Sequence, residues 1–203
     1  MPVAELLSRL PQAWSAATRH PFLDGVRDGS VTADSFDTWL AQDAHFVADL
    51  LWFQARLLAR APRPVQGVLA GGAVALVDEL AWFDAQAASR KLPADPPRLP
   101  ATEAYRALLA RLDAAEPAVA LTGLWVIERV YLDAWTAVLP GGAPYGDFVA
   151  HWTTPEFGGY VAELERAADL LWAGGGPSAE ALSLAGDVLA AERAFWDMAT
   201  EGP

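Results

Sequence analysis

The chain has no cysteine, and among its 203 residues there are only two methionines and three histidines. The missing thiols exclude disulfides, thiolate nucleophiles and Cys-ligated metal sites together. Basic residues are also scarce, 14 against 26 acidic ones, for a formal net charge of -12. No local run of Lys or Arg offsets that charge, so phosphate backbones and anionic lipid surfaces are repelled, and neither nucleic acid nor membrane is expected as a partner. A basic region followed by an apolar run, the mark of a signal peptide, is absent from a beginning that carries Glu5 and Arg9 in an amphipathic segment. A cytoplasmic location is the resulting expectation. The longest Ala-rich apolar stretch, residues 64–76, is too short to span a bilayer and contains Gly67, Gly71 and Gly72.

Apolar side chains, by contrast, are plentiful. Hydrophobic residues make up 53% of the chain, nine residues are Trp, and only 20% are charged, a composition that excludes a disordered chain or a coiled coil. The length suits a single domain over residues 1–203. Helical periodicity dominates and no alternating strand run occurs, so an all-α fold is predicted. Gly and Pro divide it into helices near residues 2–19, 32–60, 65–90, 102–115, 117–139, 145–152, 155–173 and 178–200. Thr32 and Thr102 are the predicted caps of the second and fourth. No repeat of fixed period is present.

Three carboxyls fall inside apolar stripes. Asp43 shares its row with Phe36, Leu40, Val47 and Leu50; Glu128 lies among Leu121, Leu124, Trp125, Leu132 and Trp135; Glu192 lies among Leu182, Leu189, Phe195 and Trp196. An ionised carboxylate buried alone costs several kcal/mol or becomes protonated, so the pattern implies polar partners or a cavity between helices. Asp43 with Phe46 at i+3 suits gripping a flat heterocycle by one edge and one face, and equally suits a core Asp bonded to a neighbouring Tyr or Trp. Glu192, walled by rings, suits a general acid or a structural Glu. Glu128, with Tyr131 and Trp135 on its face, is either functional or held by a core ion pair. Glu79 is a further candidate for substrate binding, although Asp78 and Leu80 flank it and either acid can be the solvated one. The Tyr105 hydroxyl reaches either a cavity or a neighbouring helix.

The histidines do not make a metal site. A di-iron bundle requires Glu-x-x-His, yet three and four residues beyond Glu79, Glu128 and Glu192 stand only Trp82, Phe83, Tyr131, Leu132, Phe195 and Trp196. No metal and no cofactor are expected. His20, His45 and His151 each read as structural, and Gly174-Gly175-Gly176 lacks a Walker lysine.

An ordered series then carries a resemblance: His20-Pro21-Phe22, Asp28-Gly29, the run from Phe36 to Leu40 leading into Gln42-Asp43, Pro155-Glu156-Phe157, and Glu192 followed by Phe195-Trp196 and Met198. Over nearly its whole length the chain resembles the TenA family, also called thiaminase II or aminopyrimidine aminohydrolase, with a haem-oxygenase-like helical bundle. The resemblance implies a metal-free homo-oligomer, dimer or tetramer, that binds a thiamin-derived aminopyrimidine between helices. It implies that Asp43 binds the pyrimidine, that Phe46 stands at a stacking tyrosine position, that Tyr105 is the pocket tyrosine, and that Glu192 protonates the substrate. The family's nucleophilic Cys falls at Leu124, a second Tyr at Glu128, and a further pocket Tyr at Trp152. These departures match a Cys-less subgroup in which glutamates replace the nucleophile, with Glu128 orienting or deprotonating water. Hydrolysis of an aminopyrimidine or a related amine or amide is therefore the expected activity, and a non-catalytic binder of a planar heterocycle is the alternative. In the first case Glu192→Gln is expected to fold and to be inactive in a product assay.

Overall fold

The computed structural model describes residues 2–93 and 95–201. Within them lie α1 (Glu5–Ser8), α2 (Pro11–Thr18), α3 (Pro21–Asp28), α4 (Ala33–Arg60), α5 (Arg63–Arg90), α6 (Pro100–Ala114), α7 (Pro117–Thr136), α8 (Gly146–His151), α9 (Pro155–Leu171) and α10 (Ala179–Glu201). No strand occurs among the described residues, as the periodicity predicts. The two 28-residue helices α4 and α5 are joined by only Ala61 and Pro62, so they pack as an antiparallel pair. Helix α7 packs against α9 and α10, and α6 bridges α4 and α10.

Local chemistry explains most boundaries. Thr32 Oγ1 accepts the Ser35 amide at 3.1 Å and starts α4 where predicted. Three expectations need correction. The first predicted helix is broken, because Pro11 opens α2 and leaves Leu10 in a non-helical conformation. Pro21, expected only to stop a helix, occupies the first turn of α3, which His20 caps by accepting the Phe22 amide and Gly29 ends at φ +79°. Thr102 is no cap. Pro100 starts α6 two residues earlier, and the buried Thr102 hydroxyl donates instead to Gln42 Oε1 at 2.6 Å.

The core is rich in rings. Trp39, Trp135 and Trp152 meet at centroid separations of 4.6–5.3 Å, with Trp196 and Phe22 stacked beyond them. This cluster pins the end of α8 against α4, α7 and α10, and so fixes one wall of the cavity described next. Trp52, Val74, Val77, Leu139 and Leu170 are large apolar side chains left exposed. No helix among the described residues is long and apolar enough to cross a membrane.

Candidate active site

Helices α4, α5, α7 and α9, with the end of α8, enclose a cavity of about 370 Å³. Helix α4 supplies Asp43, Phe46, Val47 and Leu50; α5 supplies Gly72, Ala75, Leu76 and Glu79; α7 supplies Ile127, Glu128 and Tyr131. The remaining wall is His151, Trp152, Thr154, Glu156, Phe157 and Tyr160. The volume is of the order suited to a small planar ligand.

Asp43 is 2% exposed and accepts one hydrogen bond, from Tyr131 Oη to Oδ2 at 3.0 Å. Burial pushes its carboxyl well above the ordinary range, and the charges of Glu192, Glu79 and Glu128 add to the rise. Glu128 is the most unusual group. It is 7% exposed, its side chain lines the cavity, and no described residue hydrogen-bonds its carboxyl. Burial, with Glu192 and Glu79 nearby, raises it to about 8. Arg129 beside it turns away to Asp133 and Glu165, so the core ion pair considered for Glu128 does not form.

Glu79 sits opposite as a fully engaged carboxylate. Trp152 Nε1 donates to its Oε1 and His151 Nε2 to its Oε2, both at 2.8 Å. Phe46, Tyr131, Trp152, Phe157 and Tyr160 are the aromatic side chains of the wall.

Three expected site residues lie elsewhere. Leu124 is wholly buried in the core and is not part of the cavity wall. Tyr105 and Glu192 also lie outside that wall; the Tyr105 hydroxyl donates to Glu192 Oε1, and both rest behind Phe46, whose ring is 4.5 Å from Tyr105 and 5.9 Å from Phe195. Burial raises Glu192 to about 7 against the opposing effect of the Tyr105 bond. Through its charge it acts on both Asp43 and Glu128.

Sequence reasoning missed Tyr131, His151, Phe157, Tyr160 and Gly72. Tyr131, one turn beyond Glu128, carried a usable signal. Gly72 is needed because a Cβ there would lie 2.2 Å from Tyr160 Oη and 2.3 Å from Gln54 Nε2. Its absence lets Tyr160 reach Gln54 Oε1, while Gln54 Nε2 bonds Leu69 O at 2.8 Å. Gly72→Ala is expected to destabilise by about 1–3 kcal/mol through this crowding. Denaturant titration measures it; an unchanged midpoint would mean that Tyr160 relocates freely.

No group of three or more His, Cys, Asp or Glu among the described residues is arranged to hold a metal ion. His45 faces away from the cavity, with Nε2 at 2.7 Å from Pro96 O, and His20 pairs with Asp197 at 2.9 Å.

A family model described as the TENA/THI-4/PQQC family matches residues 7–202. The chain belongs to this family. A Glycine max relative named "Probable bifunctional TENA-E protein" is 32% identical over 168 residues, covering 77% of this chain and 73% of its own. A TenA homologue from Pyrococcus furiosus superposes with a TM-score of 0.91 at 26% identity, covering 97% of this chain and 98% of that one. The TenA homologue from P. horikoshii superposes at 0.89 over the full length of both chains, at 18% identity. The haem-oxygenase-like helical architecture of the TENA/THI-4/PQQC family is thus the fold of this protein.

Proposed function

We propose that this protein hydrolyses the exocyclic C–N bond of an aminopyrimidine, or of a related amine or amide, in thiamin pyrimidine salvage, without a cysteine nucleophile. The observation that carries the reading is the buried Glu128 carboxyl, turned into the cavity and left without a protein partner. A ligand in the cavity can take up the hydrogen bonds that the protein leaves open there. Membership of the TENA/THI-4/PQQC family supplies the thiamin-related chemistry, and the absence of cysteine removes a thiolate nucleophile.

Asp43 is the anchor. A carboxyl held neutral presents one O–H donor and one acceptor, the complement of an exocyclic amino group beside a ring nitrogen. Phe46 and Trp152 bracket the ring plane, with Phe157 and Tyr160 closing the wall. Glu128, raised to about 8, still carries its proton at neutral pH and so donates it to the departing nitrogen. Glu192, the proton donor expected from the resemblance, stands behind Phe46 with Tyr105, and its role becomes electrostatic. Burial chiefly holds Asp43 and Glu128 protonated, and the charge of Glu192, when ionised, adds to it. Glu192→Gln is therefore expected to lower the rate without abolishing binding, which a titration and a product assay on one sample separate.

The functional test is direct. Metal-stripped protein incubated with 4-amino-5-aminomethyl-2-methylpyrimidine should release the hydroxymethyl product and ammonia in equal amounts. Binding without turnover would replace the enzyme by a heterocycle carrier, and neither would remove the pyrimidine reading.

A further inference from the structure

Hydrolysis requires a base for the attacking water as well as an acid for the leaving nitrogen. Of the four carboxyls on the cavity wall, burial holds Asp43 and Glu128 toward their neutral forms, and Glu79 has both oxygens engaged by His151 and Trp152. That leaves Glu156, in the exposed first turn of α9, as the one acidic competitor. Among the residues lining the cavity, only His151 offers a basic nitrogen lone pair.

We infer that His151, oriented by Glu79, is the base that takes the proton from the attacking water in this cavity. The inference rests on the aminohydrolase reading above. A carboxylate only accepts, so the 2.8 Å contact between His151 Nε2 and Glu79 Oε2 places the ring proton on Nε2. In the neutral ring Nδ1 is then the acceptor, and no described residue hydrogen-bonds it. Glu79 cannot swing toward a ligand, because its other oxygen accepts Trp152 Nε1–H at 2.8 Å. Consecutive residues at the end of α8 thus grip both oxygens of one carboxylate on α5. The ring plane is fixed a third way, by stacking on Trp82 at 4.0 Å and 7°. A histidine serving only to cover a surface needs none of these restraints. A base whose tautomer must be set needs the carboxylate behind it, the arrangement by which an acid orients a catalytic imidazole.

The step balances. The water oxygen bonds to the exocyclic carbon as the C–N bond breaks, His151 Nδ1 takes a water proton, and Glu128 gives its proton to the nitrogen, which leaves as ammonia. The imidazolium and the Glu128 carboxylate then reset by exchanging a proton through solvent. In this scheme Glu79 is a positioning residue.

The test compares turnover of 4-amino-5-aminomethyl-2-methylpyrimidine by the unaltered protein, His151→Gln and His151→Ala, each with a circular dichroism melt. The expected result is a kcat lower by about 100-fold or more in both variants with KM within about threefold. Added imidazole should restore the His151→Ala rate at least about tenfold, which a merely structural histidine would not allow. Glu79→Gln should lower kcat less and leave KM unchanged. A His151→Gln kcat within about threefold of the unaltered protein overturns the inference, as does a His151→Ala rate that imidazole leaves unmoved. Should His151→Gln unfold, the imidazole response of His151→Ala decides alone; should both unfold, a Glu79→Gln kcat equal to that of the unaltered protein overturns it. Absence of turnover in the unaltered protein would instead overturn the aminohydrolase reading and this inference together.

Discussion

Glu128→Gln is expected to abolish turnover and to raise the melting temperature at alkaline pH. The two effects share a cause. The carboxyl lies buried without a hydrogen-bond partner among the described residues, and its folded-state pKa stands near 8 against an ordinary 4.5. Between those values the unfolded chain has released this proton while the folded chain still holds it. Stability is therefore greatest below about pH 4.5 with respect to this group and falls as pH rises toward about 8, by about 1.4 kcal/mol per unit of pH. Glu192, raised to about 7, adds a fall of the same sign over the lower part of that range. The glutamine variant escapes the Glu128 share, so its melting temperature should decline less steeply between pH 5 and about 8. Its kcat should drop by about 100-fold or more, because an amide has no proton to give the leaving nitrogen. Calorimetric scans across pH and the product assay check the two halves. A variant that melts in parallel with the unaltered protein at every pH would show that Glu128 is ionised and satisfied.

Asp43 separates two accounts of ligand binding through an unusual pair of variants. If its carboxyl binds in the neutral form, Asp43→Asn retains one donor and one acceptor in nearly the same places. Ligand affinity, measured by calorimetric titration, should then stay within about tenfold. Asp43→Ala deletes both contacts, strands the Tyr131 hydroxyl that now donates at 3.0 Å, and should weaken binding by about 100-fold. Equal losses in the two variants would mean that an ionised carboxylate is required.

The three buried acids were legible in the chain because a charge inside a helical stripe conflicts with the burial that the stripe implies, and Asp43, Glu128 and Glu192 are 2%, 7% and 4% exposed. What the stripe cannot encode is the rotation of one helix against the next. Glu128 and Glu192 occupy equivalent stripe positions, yet one opens into the cavity and the other is bonded to Tyr105 behind Phe46. The place of His151 on the cavity wall is illegible in the sequence for a related reason. Helix α8 has six residues, too few for periodicity to define a face, and its partners Glu79 and Trp82 lie some 70 positions earlier. The missed helix α3 and the broken first helix trace to prolines, which read identically in a sequence whether they end one helix or begin the next. The resemblance identified the family and the fold. It also pointed to Leu124 and Tyr105 as pocket residues, where this chain instead closes its wall with Tyr131, Phe157 and Tyr160.

On the proposed reading, water displaces nitrogen in this cavity with no bond to the protein. Quenching the reaction in ¹⁸O-labelled water midway through turnover and weighing product and intact protein in one mass spectrum tests it most directly. A hydroxymethyl pyrimidine carrying one ¹⁸O atom and a protein at its unmodified mass are expected. A protein heavier by the pyrimidinylmethyl group would contradict it, because a side chain would then have been the nucleophile.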